Sequence, residues 1–330
     1  MEYLDPSLNG SVGQWNAQPT VLCLSGGGYR GLYTACILEH LQTLTVRPLR
    51  KHFTFIAGTS IGALIGAALA ADISPTRIRE HIERLGPRLF KRRLFHGVRR
   101  YFRAPYSQKA LSNALTELFS QTKPHDLLDR PLHEQPLAIV ILATSISAHE
   151  PRIYGGRRLP DCDPHITLRQ ALLASSAAPT YFPVQVIRNE LLADGGLVAN
   201  APDAIALGLL QKRFGADRSD CRMLSIGTCA PSPSHQPAAP TAPGRLGWVL
   251  RKPNIVDVTL EAQERLTIRA MHEILGERFV RIDSQPSGKD YAAVSTLDHA
   301  APKTTAVLKD LARTEFERVR TVTQVTRFFS

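Results

Sequence analysis

Ser60 stands in Gly58-Thr59-Ser60-Ile61-Gly62, a G-x-S-x-G pentapeptide whose glycines let the chain turn sharply while the hydroxyl projects outward. A serine so placed is a nucleophile for acyl transfer. It needs a base to take its proton and N–H groups to meet the negative charge that develops on the attacked carbonyl. Gly26-Gly27-Gly28-Tyr29-Arg30-Gly31 offers that cradle, with glycine amides at the start of a helical pattern. Gly26, Gly28 and Gly31 also read as G-x-G-x-x-G, but a dinucleotide site wants a carboxylate about 20 residues on, at the end of the next strand. That strand ends Ile56-Ala57-Gly58. A phosphate loop needs Gly-Lys-Ser/Thr after its glycines, and none follows. In a chain of this composition chance supplies G-x-S-x-G about 0.09 times and G-G-G-x-R-G about 0.0006 times, so the two together are the informative signal.

The base is the open question. Asp194-Gly195-Gly196 closes a strand-like run, and its glycines allow close approach to another backbone, which makes a Ser60–Asp194 dyad the sharper reading. A free aspartate has a pKa of about 3.9 and is a feeble base for a hydroxyl, so burial must raise it. The rival is a Ser-His-Asp esterase of α/β-hydrolase type with His272 or His299 as base. That fold places several strands before its elbow, whereas Ser60 follows only two. A third reading keeps the fold without catalysis, as a lipid- or nucleotide-binding module.

The elements that must position these residues follow from periodicity. Thr20–Leu24 is a buried strand entering the glycine turn, and a helix starts at Gly31. Phe53–Ala57 is the second strand and Ala63–Ala71 the helix after the elbow. This order of strand, helix, strand, helix with short turns predicts an α/β fold with a parallel sheet. Helices are expected at 75–86, at 108–120 with Ser107 as N-cap, at Leu168–Ser175, and at Pro202–Arg213 with proline in the first turn. Strands are expected at Leu137–Thr144, Pro183–Ala193 and Met223–Gly227. Beyond a stretch holding Pro231, Pro233, Pro237, Pro240 and Pro243 come helices at 254–275 and 304–325, with a strand at Arg278–Ile282 between them. The domains therefore read as an N-terminal extension (1–19), a catalytic core (20–229), a proline-rich linker or lid (230–244) and a C-terminal helical portion (245–330) packed on the core or regulating it.

Composition narrows the setting. At 330 residues, 43% apolar and 21% charged, the chain can bury a large core. Its longest apolar run, Ile61–Ala71, is too short to span a bilayer. Five scattered cysteines without C-x-x-C, and a start lacking the features of a secretory leader, point to a reduced cytoplasmic protein without a zinc site. The net charge of +11 favours an anionic partner. Arg77–Arg103 holds ten Lys/Arg interleaved with Phe90, Phe95, Tyr101 and Phe102, which suits an anionic lipid surface or a phosphorylated activator as well as a solvated helical face. No nucleic-acid-binding fold accompanies the charge, so nucleic acid is not expected as a partner. A homodimer is left open. Tyr29 reads equally as a substrate contact and as packing.

At these residues the chain resembles the patatin-like phospholipase family. Gly26–Gly31 is similar to its oxyanion motif, Gly58–Gly62 to its nucleophile elbow and Asp194-Gly195-Gly196 to its base motif. Ser175–Pro183 and Leu224–Thr228 resemble further family segments, in the family's order. The resemblance implies a three-layer fold with a mostly parallel central sheet flanked by helices. It also implies a hydrolase that cleaves acyl esters of membrane phospholipids through an acyl-enzyme, without metal or other cofactor, acting at the inner membrane surface. Carried over residue by residue, Ser60 is the nucleophile and Asp194 the general base, and Gly27, Gly28 and Arg30 line the oxyanion hole. Gly26, Gly31, Gly58, Gly62, Gly195 and Gly196 are the motif glycines. Ser25 departs from the Asp that many relatives carry before the glycines. Trp248, Asn254–Leu275 and Leu275–Asp283 resemble bacterial patatin-like effectors of CBASS anti-phage systems, which implies a cyclic dinucleotide activator.

Overall fold

The computed structural model describes residues 18–90, 104–156, 165–214, 216–231, 255–286 and 288–329. Most of the N-terminal extension, the basic residues 91–103, Cys162 and the segment 232–254, with most of the proline-rich stretch and Trp248, lie outside the described residues.

Eight strands form one sheet: β1 (Thr20–Leu24), β2 (Phe55–Thr59), β3 (Ile139–Ser145), β4 (Glu150–Gly155), β5 (Gln185–Ile187), β6 (Glu190–Asp194), β7 (Arg222–Ile226) and β8 (Phe279–Ile282). Strands β3, β2, β1, β7 and β8 lie side by side and all run parallel. Their residues alternate between two buried faces, as a sheet covered on both sides requires. On β1, Leu22 and Leu24 point into one core and Val21 and Cys23 into the other; Ile56 and Phe55 divide likewise on β2.

The first core is covered by α1 (Gly31–Gln42), α2 (Ile61–Ala70), α3 (Pro75–Leu89), α4 (Gln108–Phe119), α5 (Leu168–Ser175) and, after the elements of the other layer, α8 (Pro302–Val319). The second is covered by α6 (Asp203–Phe214) and α7 (Ile255–Leu275). The result is the expected three layers. Helix starts follow ordinary capping chemistry: the hydroxyls of Ser74, Ser107 and Thr167 accept the N–H groups of Arg77, Ala110 and Gln170.

Three expectations change. Pro183–Ala193 is not one strand but the hairpin β5–β6, turned by Arg188 (φ 49°) and Asn189 (φ 65°). A two-residue turn with two positive φ values matches the sheet's twist, and without glycine it is poorly signalled in sequence. The helix expected at 304–325 ends at Val319, with a separate turn at Thr323–Thr326. Strand β4 was not anticipated, because Pro151 suits only a sheet edge.

The register along β3 positions the site. Residues 140–142 of β3 pair with both β2 and β4, and residues 143–145 with both β6 and β4. Thus β4 holds one side of β3, while β2 and the oppositely directed β6 share the other, end to end. Thr59 is opposite Leu142 and Asp194 opposite Ala143, so the two strand ends meet.

Candidate active site

The turn from β2 into α2 gives Ser60 a φ of 55° and a ψ of −124°. This is a conformation that a non-glycine residue holds only when its surroundings impose it. They do: a Cβ on Gly62 would be driven into the carbonyl of Leu24, so glycine there is what lets α2 start against β1. Ser60 N–H donates to Ser175 Oγ at 2.9 Å, which fixes the turn from a third element.

Ser60 Oγ donates to Asp194 Oδ2 at 2.6 Å. The other oxygen, Oδ1, accepts Gly196 N–H at 2.7 Å, and the Asp194 carbonyl accepts Thr144 Oγ–H at 2.9 Å. Asp194 is 6% exposed. Burial pushes its pKa up to about 6, against the lowering pull of the Ser60 and Gly196 hydrogen bonds. A carboxylate so placed is a stronger base than a free one and is still ionised at neutral pH.

The glycine loop runs from β1 through a 3₁₀ turn (Gly28–Arg30) into α1. Its other amides are engaged: Gly26 N–H on Asn200 O, Tyr29 N–H on Leu297 O and Arg30 N–H on Gly27 O. Gly27 and Gly28 have no acceptor among the described residues. Gly28 needs to be glycine twice over, because φ is +58° and a Cβ would meet the Leu297 carbonyl. Ser60, Gly26, Gly27, Gly28, Arg30 and Asp194 all line one cavity of about 480 Å³. Arg30 is buried, with no acceptor for Nε among the described residues, and faces Glu261, whose pKa burial raises and Arg30 pulls down.

The rest of the cavity wall is mostly apolar. Leu64 and Ile65 from α2, Ile78 and Leu85 from α3, and Leu111 and Leu115 from α4 build it, with Val256 and Leu260 of α7 on the other side. His81 lines it too, with Nε2 on Ala114 O at 2.9 Å. Such a wall accepts an acyl chain. The two histidines weighed as bases are elsewhere: His272 lies against the Phe279 ring, and His299 bonds Thr304 and Ala293. Tyr29 is 1% exposed, with its hydroxyl on Thr305 and its ring beside Gly86, and it also lines the cavity, so it packs and faces the site at once. Cys23, Cys36, Cys221 and Cys229 are buried free thiols. Among the described residues no cluster of three or more metal-ligating side chains is assembled, and no helix is long and apolar enough to cross a membrane.

Behind the glycine loop lies a polar cluster that the sequence did not announce. Arg281 on β8 donates to Ser25 Oγ and Ser225 Oγ, each at 2.9 Å, to Glu264 Oε1 at 2.5 Å and to Asp283 Oδ2 at 2.7 Å. Glu264 Oε2 accepts Asn200 Nδ2–H at 2.5 Å, and Thr228 Oγ–H donates to Gly26 O. Gln263 donates to the carbonyls of Gly196 and Leu197 and accepts Asn200 N–H. One turn of α7 thereby holds both the glycine loop and the turn after Asp194. Burial raises Asp283 and Asp203, and Arg281 opposes both shifts.

The sequence profile described as patatin-like phospholipase matches residues 22–207. The chain is 32% identical over 299 residues to a "cGAMP-activated phospholipase" of Pseudomonas aeruginosa, covering 88% of this chain and 85% of that one. It is 28% identical to a protein of the same description from Vibrio cholerae, covering 91% and 92%. It is also 28% identical to "Patatin-like protein 1" of Arabidopsis thaliana, covering 91% and 82%.

Proposed function

We propose that this chain, which belongs to the patatin-like phospholipase family, hydrolyses fatty-acyl esters of membrane phospholipids with Ser60 as nucleophile and Asp194 as base. The observation that carries the reading is the 2.6 Å Ser60–Asp194 hydrogen bond at the head of an apolar cavity. Asp194 takes the hydroxyl proton as Ser60 Oγ attacks the ester carbonyl. The developing oxyanion is met by the Gly27 and Gly28 amides, with Arg30 adding positive field. The tetrahedral intermediate collapses, Asp194 returns the proton to the departing alkoxide, and the acyl group remains on Ser60. Water then attacks the acyl-enzyme with Asp194 again as base. The apolar wall keeps the acyl chain and excludes water around the carboxylate.

The relatives described as activated by cGAMP support a second element of the reading: a cyclic dinucleotide raises this activity, and the C-terminal portion transmits it. The test is fatty-acid release from phosphatidylglycerol/phosphatidylethanolamine vesicles with and without a cyclic dinucleotide panel, beside labelling of Ser60 by a fluorophosphonate probe. Labelling, and hydrolysis increased by one member, are expected. A Ser60 that stays unlabelled under every condition would overturn the catalytic reading, and hydrolysis indifferent to the whole panel the activation.

A further inference from the structure

The β5–β6 hairpin carries an apolar face that the catalytic site does not use. Val186 is paired with Leu191, so their side chains share a face, and Val184 precedes β5 by one residue with the same parity as Val186. Ile146 continues β3 beside them, its N–H on Leu191 O at 2.8 Å. Exposures are 67% for Val186, 42% for Val184, 40% for Leu191 and 38% for Ile146. The opposite face, with Ile187 and Leu192, is buried in the core beneath α1–α5. The exposed face therefore looks out on the α6–α7 side. Val198, in the turn after Asp194, and Ile255 and Val258, on the first turn of α7, add exposed aliphatic side chains at 38%, 45% and 41%.

The place of the hairpin matters more than its composition. Strand β6 pairs with the part of β3 that extends past the end of β2, so β5–β6 rises beyond the carboxyl ends of the parallel strands, where Ser60 sits. The chain reaches it directly from Tyr181 and Phe182, which line the cavity, and leaves it directly into Asp194. Val256 and Leu260 line the same cavity from α7, next to the outward Ile255 and Val258.

We propose that this face is the surface by which the enzyme seats itself on an anionic phospholipid bilayer, with the hairpin entering the boundary between headgroups and acyl chains. The proposal rests on the phospholipase reading above. A substrate held in a bilayer requires the cavity mouth to be pressed to it, and clustered aliphatic side chains gain from leaving water there. The chain's direct passage between the cavity lining and the hairpin, at Phe182 before it and Asp194 at its end, and the chain's net charge of +11 toward an anionic leaflet favour a bilayer over a protein partner.

The test uses full-length protein. Ser60→Ala, and Ser60→Ala with Val184→Asp/Val186→Asp, are sedimented with phosphatidylglycerol-containing vesicles, so that binding is read without turnover. The aspartates are expected to weaken vesicle binding about tenfold or more. In the active background they should cut vesicle hydrolysis in proportion while leaving a soluble short-chain ester untouched. Val186→Trp should bind more tightly, with a blue-shifted fluorescence increment on vesicles. Unchanged vesicle binding by both variants would overturn the proposal, as would loss of a dimer without loss of vesicle binding. A parent that binds vesicles through this face without hydrolysing them would instead sink only the phospholipase reading.

Discussion

In front of the glycine loop the carboxylate of Asp194 is held in a mostly apolar wall by one hydroxyl and one amide. Behind the loop Arg281 is enclosed by Glu264, Asp283 and two serines, its side chain 9% exposed. The two sides are a loop's thickness apart and are built on opposite terms. In front, desolvation is left largely uncompensated, and the unfavourable charge is what makes the base effective. Behind, charge is answered by opposite charge and by hydrogen bonds, which holds a backbone in place but gains little net stability. Strain and unpaired polarity are tolerable at the first because the second is tightly tied.

The largest effects separate the two. Asp194→Asn should lower hydrolysis about 10³–10⁴-fold, as should Ser60→Ala. Yet Asp194→Asn should raise the melting temperature at pH 7, because folding no longer buries a charge. The folded pKa, about 6, lies above the usual value of 3.8. The parent therefore loses stability as pH climbs through that window, by about 1.4 kcal/mol per pH unit. Calorimetry should find the gap between parent and variant full above pH 6 and closing toward pH 4. A gap absent at neutral pH would mean that the carboxylate is not held as a buried charge.

Arg281→Met tests the other side. It strands Glu264 and Asp283, and denaturant unfolding at pH 7 should show a loss of about 3–5 kcal/mol. The loss should shrink as the pH is lowered, because burial already raises the Asp283 carboxyl and removing Arg281 takes away the cation that opposes that shift.

Next in size is the pH–rate profile on a soluble ester. With Asp194 as base, kcat/KM should fall about tenfold per pH unit below about 6 and level off above. A profile flat from pH 5 to 7 would exclude Asp194 from that role. Smallest is Thr228→Val, which removes one bond to the Gly26 carbonyl; it should cost about 1 kcal/mol of stability and a few-fold in kcat.

The same contrast explains what the sequence disclosed. The elbow, the glycine loop and Asp194-Gly195-Gly196 are local devices: each packs backbone against backbone or side chain too closely for a Cβ, so each leaves a dense glycine signature within six residues. The strands beside them were legible because burial on both faces leaves continuous apolar runs. The rear cluster has no such signature. Arg281 and Ser25 are 256 residues apart, Asn200 and Gly26 174, and each is an ordinary polar residue in its own neighbourhood. Glu264 reads as part of the wet face of α7 until β8 brings a cation to it. Ser175 lay within a segment matched by resemblance, but nothing local gave its hydroxyl the task of holding the Ser60 amide.

Because β2 and β6 abut along one side of β3, the spacing of nucleophile and base is written in main-chain pairing and not in side-chain fit. Core substitutions that merely loosen packing should leave the reacting atoms aligned. A one-residue insertion or deletion between Asn189 and Asp194 should be ruinous, since it would swing the carboxylate to the far side of the sheet. Homologous enzymes are thus expected to vary freely in the size of their buried side chains and to keep the residue count of this short stretch constant.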